Sequence, residues 1–128
     1  MAFKSVTTGF FDKEFSKLTN KNATFEKQVI NKLKEIRQNP KIGEPRSHAL
    51  RGLRGLHISE HFVVVYLIFK NCVIFINLGH HDKTYDPETM KKLIRRLLED
   101  EKLLAAMKIS NITVEDLGRF VATVGKHK

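Results

Sequence analysis

Five of the six histidines of the chain, His48, His57, His61, His80 and His81, fall within the 38 residues from His48 to Tyr85, interleaved with two apolar runs. Imidazole has an ordinary pKa of about 6.5 and so both takes and gives a proton near neutrality, which suits a cluster of this kind to general acid-base chemistry. Arg46, Arg51 and Arg54 lie in or beside the same stretch, and guanidinium forks match phosphate oxygens. Proton transfer beside phosphate clamps points to an anionic substrate, and RNA is the anion that best fits a basic chain. Four residues after His81, Tyr85 offers an aromatic platform on which a base could stack. Without a catalytic role, the arginine stretch would be a solvated basic loop and His57 a hydrogen-bonded sheet residue.

A metal site is not expected. His57 and His61 are spaced i, i+4, which makes a zinc pair only on a helix, and here a strand-turn-strand context removes that geometry. No third and fourth ligand follow at conventional spacing, and no phosphate-binding loop, dinucleotide fingerprint, nucleophile elbow or HExxH is present. The chain is therefore expected to need no cofactor. His80 is expected to add little, because adjacent residues of an extended strand face opposite ways and only one of His80 and His81 could then point into a site.

The 128 residues fit one domain, 1–128, and carry a formal net charge of +9, which favours nucleic acid or an acidic protein partner. The excess concentrates in residues 1–60, with 12 basic and 6 acidic side chains. Cys72 is the only cysteine, which excludes an intrachain disulfide. The longest apolar run, Phe62 to Phe69, is far short of the roughly 20 residues of a membrane helix. A cytoplasmic protein with no membrane association is expected.

The elements that must position these side chains follow from periodicity. Phe3 to Thr7 reads as a strand, and Phe11, Phe15 and Leu18 have helical spacing. Asn22 is a suitable cap for a second helix whose stripe is Phe25, Val29, Ile30, Leu33 and Ile36, ending before Pro40. Pro40, Gly43 and Pro45 mark a loop. Leu56 to Ser59, Phe62 to Phe69 and Cys72 to Leu78 read as strands joined by tight turns at Glu60-His61 and Lys70-Asn71, with Phe62 to Phe69 central because it is apolar on both faces. Gly79 is expected to turn the chain out of the sheet. Asp86 and Pro87 start a helix with Met90, Leu93, Ile94, Leu97, Leu98 and Leu104 in its stripe, and Thr113 starts a last helix reaching Val124. The order is β-α-α-β-β-β-α-α, an α+β fold with a helical extension over 86–128. Self-coverage of this extension is the expectation; the rival is a homodimer or partner surface.

In this order the residues resemble the RelE/ParE toxin superfamily. Leu50-Arg51-Gly52 matches its L-K-G, Val64-Val65-Tyr66 its apolar strand, and Gly79-His80-His81-Asp82-Lys83-Thr84-Tyr85 its G-H-R-x-x-x-Y ending. The YafQ-like branch fits best in motif: His48-Ala49-Leu50-Arg51-Gly52 corresponds to H-x-L-[KR]-G, and His57 through Tyr66 to H-[IV]-E-P-D-W-x-L-I-Y. The resemblance spans roughly residues 1–95 and implies a RelE-like fold, an N-terminal strand and helical hairpin packed on a small, mainly antiparallel sheet. It also puts the branch's catalytic histidines on His48, His57 and His81, its stacking aromatic on Tyr85 and its aspartate on His61. Three departures stand out: His61 replaces that aspartate, the stretch from Gly52 to His57 is shorter, and Val63 occupies the place of an arginine on the central strand.

The resemblance implies a toxin that cleaves mRNA on the ribosome without a metal, by attack of a ribose 2′-hydroxyl on the adjacent phosphate. His48 or His57 and His81 would be acid and base, Arg46, Arg51 and Arg54 would hold phosphate, and Tyr85 would stack a base. An acidic antitoxin is the implied partner. The alternatives are a ParE-like gyrase inhibitor without catalysis and a basic RNA-binding relative that has lost activity.

Overall fold

A computed structural model describes residues 3–47 and 50–124. A five-stranded sheet runs in the order β1-β5-β4-β3-β2, from β1 (Lys4–Thr7), β2 (Glu44–Pro45), β3 (Arg54–His57), β4 (Phe62–Phe69) and β5 (Cys72–His80). Only the β1–β5 pair is parallel; the other three are antiparallel. The apolar runs β4 and β5 are covered on both faces, as a strand without alternating polarity requires.

Helices α1 (Gly9–Thr19) and α2 (Ala23–Gln38) cover one face. Asn22 caps α2, its side chain accepting from the Phe25 N–H at 3.0 Å. Of the expected stripe, Phe25, Val29 and Ile36 are buried, Leu33 is partly buried and Ile30 is exposed. They pack with Phe11, Val64, Tyr66, Val73 and Phe75. The opposite face of the same strands, Val65, Leu67, Phe69, Ile74 and Ile76, is covered by the extension through Met90, Leu93, Leu97, Leu103, Met107 and Leu117. The extension therefore packs on its own sheet, and Phe120 lies against Phe69 with ring centroids 4.7 Å apart.

The single helix expected after Asp86 is broken. It divides into α4 (Pro87–Arg95), a 3-10 turn at Leu97–Glu99 and α5 (Glu101–Ile109). Asp100 causes the restart: one carboxylate oxygen accepts from the Leu103 N–H at 2.9 Å as a helix cap, and the other accepts from the Gly9 N–H at 2.8 Å. The break resets the apolar phase, so Leu103 rather than Leu104 is fully buried. The last helix, α6 (Val114–Val121), starts at the expected Thr113 cap but stops before Val124.

Three further differences bear on the histidines. The strand before β4 runs Arg54–His57 instead of Leu56 to Ser59, leaving a wider Ile58–His61 connection. The chain does not leave the sheet at Gly79; β5 continues to His80, and His81–Thr84 forms a short helix, α3. A bulge shifts the β4–β5 register between Val65 and Tyr66, which pair with Asn77 and Phe75. Ile76 and Asn77 consequently both lean toward the extension, and the side-chain parity of everything after them, His80 included, is inverted.

Candidate active site

His57, His61, His80 and His81 come together at one end of the sheet. His57 is the last residue of β3, His61 lies in the β3–β4 connection, His80 ends β5 and His81 opens α3. His81 is the hub, with ring centroids 6.2 Å from His57, 6.1 Å from His61 and 4.8 Å from His80. His61 and His80 stack at 5.7 Å with planes 5° apart.

The convergence of His80 and His81 corrects the sequence expectation. Adjacent side chains diverge only while a strand continues, and here the strand ends between them. Helical backbone from His81 onward swings its ring round to the side of His80. His80 also caps α3, its Nδ1 accepting from the Asp82 N–H at 3.3 Å, and packs edge-on against Phe62 at 5.8 Å. Asp82 supplies the nearest anion, one carboxylate oxygen 3.0 Å from His81 Nδ1 and the other 3.6 Å from His80 Nδ1. A carboxylate there favours the proton on Nδ1 of His81 and leaves Nε2 as the free lone pair. Sequence reading passed over both His80 and Asp82; the signal was the Asp82 side chain two residues into a potential helix start.

Tyr85 lies at the end of α3 over β3. Gly55 makes room for it, since a Cβ there would overlap the phenol oxygen. Alternation along β3 puts His57 on the same face as Gly55, so His57 and Tyr85 share a side of the sheet. The Arg46 guanidinium sits 3.9 Å from the Tyr85 ring centroid, a cation-π contact that already covers one face of the platform. Burial pushes the Tyr85 phenol up from its ordinary value, with Arg46 opposing and Glu44 reinforcing the shift. The phenol is therefore protonated at neutral pH.

The remaining basic residues divide. Arg54 donates from Nη1 to the Gly43 carbonyl at 2.7 Å and the Lys41 carbonyl at 3.3 Å, so it braces the loop leading to β2. Tyr66 anchors the same loop from the core, donating to the Pro40 carbonyl at 2.6 Å and accepting from the Gly43 N–H at 2.9 Å. Burial raises its phenol pKa as well. Arg51 is exposed. Among the described residues, Arg46 Nε is a buried side-chain nitrogen without a hydrogen-bond partner. His48, expected as a catalytic residue, lies outside the described residues.

Residues 10–85 match the family model for the ParE toxin of type II toxin-antitoxin systems. The chain belongs to this toxin family. The match ends at Tyr85, so the helical extension lies beyond it. Among relatives of this toxin-family chain, the RelE4 protein of Methanocaldococcus jannaschii, named as a toxin candidate, is 32% identical over 83 residues, 63% of this chain and 88% of that protein. The fold is shared with Escherichia coli RelE, solved free in a doubly substituted form, at a TM-score of 0.58 and 21% identity over 76% of this chain and 99% of that one. Escherichia coli YafQ overlays at 0.54 and 17% identity, covering 66% and 99%. These likenesses show a RelE-like fold and do not separate the YafQ branch from its neighbours. No helix among the described residues is long and apolar enough to cross a membrane.

Proposed function

We propose that this toxin-family protein is a metal-independent endoribonuclease that cleaves mRNA on the ribosome. The observation that carries the reading is the pair His57 and His81, ring centroids 6.2 Å apart, beside an aromatic ring that carries a guanidinium. In-line attack of a 2′-hydroxyl needs a base on the nucleophile and an acid on the leaving 5′-oxygen, each within about 2.6–3.2 Å of its oxygen. Two imidazoles a little over 6 Å apart leave room for one phosphate between them. Arg46 and Arg51 would neutralise the charge that develops on the phosphorane, and Tyr85 would stack a base. His48 remains a third imidazole for the site, on the strength of its motif. The motif agreement with the YafQ-like branch supports the same chemistry.

Type II membership supports a protein antitoxin, and a +9 chain fits one with an acidic segment that orders on this surface and excludes substrate. A cytoplasmic location follows from a ribosomal target. The second reading is a ParE-like gyrase inhibitor that binds without catalysis; its support is that the matching family model carries the ParE name. Induction of the protein with primer extension on cellular transcripts, alongside a gyrase supercoiling assay, decides between them. Discrete new 5′ ends with intact supercoiling are expected. Blocked supercoiling with intact transcripts would replace the nuclease reading by the inhibitor, and neither effect would leave an inactive RNA-binding relative.

A further inference from the structure

We infer that His61, His80 and His81 form a site for one divalent transition-metal ion of the zinc class, and that the ion inhibits the protein rather than serving its reaction. One ligand nitrogen from each of the three rings lies within 4.8 Å of the others. In a tetrahedral site with zinc-nitrogen bonds of about 2.0–2.1 Å, three imidazole nitrogens sit about 3.4 Å apart and the ring centroids about 5.2 Å apart. The centroid separations of 4.8, 5.7 and 6.1 Å bracket that value. The backbone has thus brought the ring centres to within about 1 Å of the spacing a tetrahedral site needs. What remains is rotation of stacked rings about their own side-chain bonds until the lone pairs converge, and His61, whose side chain is 60% exposed, is free to make it.

The surroundings fit a cation more than the net charge suggests. Asp82 touches both His80 and His81, and Glu60 stands 3.9 Å from His61. On His81 the Asp82 carboxylate at Nδ1 orients the ring and strengthens Nε2 as a ligand, the usual outer partner of a metal-bound histidine. Three neutral nitrogen donors select zinc, nickel, cobalt or copper over magnesium or calcium, which take oxygen ligands. Three ligands leave a fourth position for water.

The inhibitory half rests on the proposed function. An ion on His81 occupies the lone pair that a proton-transfer step needs, so bound zinc and catalysis exclude one another. The binding half stands without it.

The test uses the full-length protein carrying no histidine tag, titrated with Zn²⁺ by calorimetry and with Co²⁺ by visible absorption. His80→Asn removes one ligand and keeps a side chain able to cap α3; His61→Gln removes another from an exposed turn and leaves that cap untouched. Wild type is expected to bind one ion with a tetrahedral Co²⁺ spectrum. Each variant should lose at least about tenfold in affinity, since even outer-shell partners are worth about 10- to 100-fold. Failure of the wild type to bind, or equal binding by wild type and both variants, overturns the site. Zinc should stop RNA cleavage by the wild type at concentrations that leave His80→Asn cutting at its metal-free rate. Zinc binding without loss of cleavage overturns the inhibitory half alone, whereas a protein that binds zinc but cuts no RNA under chelation refutes the nuclease reading and leaves the site standing.

Discussion

The backbone N–H of His81 donates to the carbonyl of His61 at 2.8 Å. This bond ties the first residue of α3 to the β3–β4 connection, so two imidazoles far apart in sequence are held by main chain rather than by their own side chains. His81→Ala keeps the bond and removes only the ring. It should lower the cleavage rate by about 10² to 10⁴, the usual contribution of a positioned acid or base, while leaving the melting temperature within a few degrees of wild type. Single-turnover cleavage and thermal denaturation measured on the same preparation check both halves. Wild-type cleavage by this variant would remove His81 from the mechanism.

Acid and base shared between imidazoles give a bell-shaped dependence of cleavage on pH, whose limbs report macroscopic values for the coupled pair. Tyr85 contributes to neither limb, because burial holds its phenol above the ordinary range and it stays protonated around neutral pH. Tyr85→Phe should therefore keep the shape of the bell. Any loss should come through positioning of Arg46 and stacking of a base. Chelation should leave the rate intact; loss of activity on chelation that returns with added metal would refute the metal-free mechanism.

Asp86 caps α4 by accepting from the Thr89 N–H at 3.0 Å and the Thr89 hydroxyl at 2.8 Å, and these hydrogen bonds hold its carboxyl below the ordinary range. A carboxyl with a depressed folded-state pKa contributes stability that is fully present above its unfolded value and is lost as pH falls through the folded one. The melting temperature of Asp86→Ala should lie below wild type by a constant margin between about pH 5 and 8, where the unfolded carboxyl is ionised. The margin should shrink in more acidic solution. A margin unchanged into strong acid would mean that the cap acts without its charge.

The extension is bound to the body by burial and by polar ties, Asp100 to Gly9 and Lys102 to Asp12 and Thr7. Leu117 is fully buried, and Leu117→Ala should cost about 2–5 kcal/mol in a denaturant titration. Deleting residues 109–128 should lower the melting temperature and let a hydrophobic dye bind where Phe120 now covers Phe69. A truncated chain as stable as the full one but altered in self-association would make the tail a docking surface instead.

What could be read from the residues was whatever local chemistry decides. Asn22, Asp86 and Thr113 advertise helix starts because a short polar side chain reaches the free N–H groups beyond it, and β4 is legible as central because both its faces are apolar. The break at Asp100 was hidden, since half of its reason is the Gly9 N–H, 91 residues away. The site was half legible for a similar reason. His57, His61 and His81 stood out by type, but bringing His80 to His81 required knowing that β5 runs two residues longer than its apolar run and that a bulge inverts its parity. Arg54 was indistinguishable in sequence from Arg46, yet its guanidinium holds loop carbonyls while that of Arg46 lies on Tyr85.

The parallel pairing of β1 with β5, Lys4 opposite Cys72, has a temporal side. Every other ladder joins strands close in sequence, but β1 must wait for a partner 68 residues downstream. At about 5–20 residues per second of synthesis, that is roughly 3 to 14 s in which the N-terminal strand has no edge to join. The α1–α2 hairpin can form in that time, but β5, which lies between β1 and β4 and ends in the histidine cluster, cannot. The sheet and the cluster are therefore completed by the same late event, so a nascent chain carries no assembled site until β5 and His81 have been made.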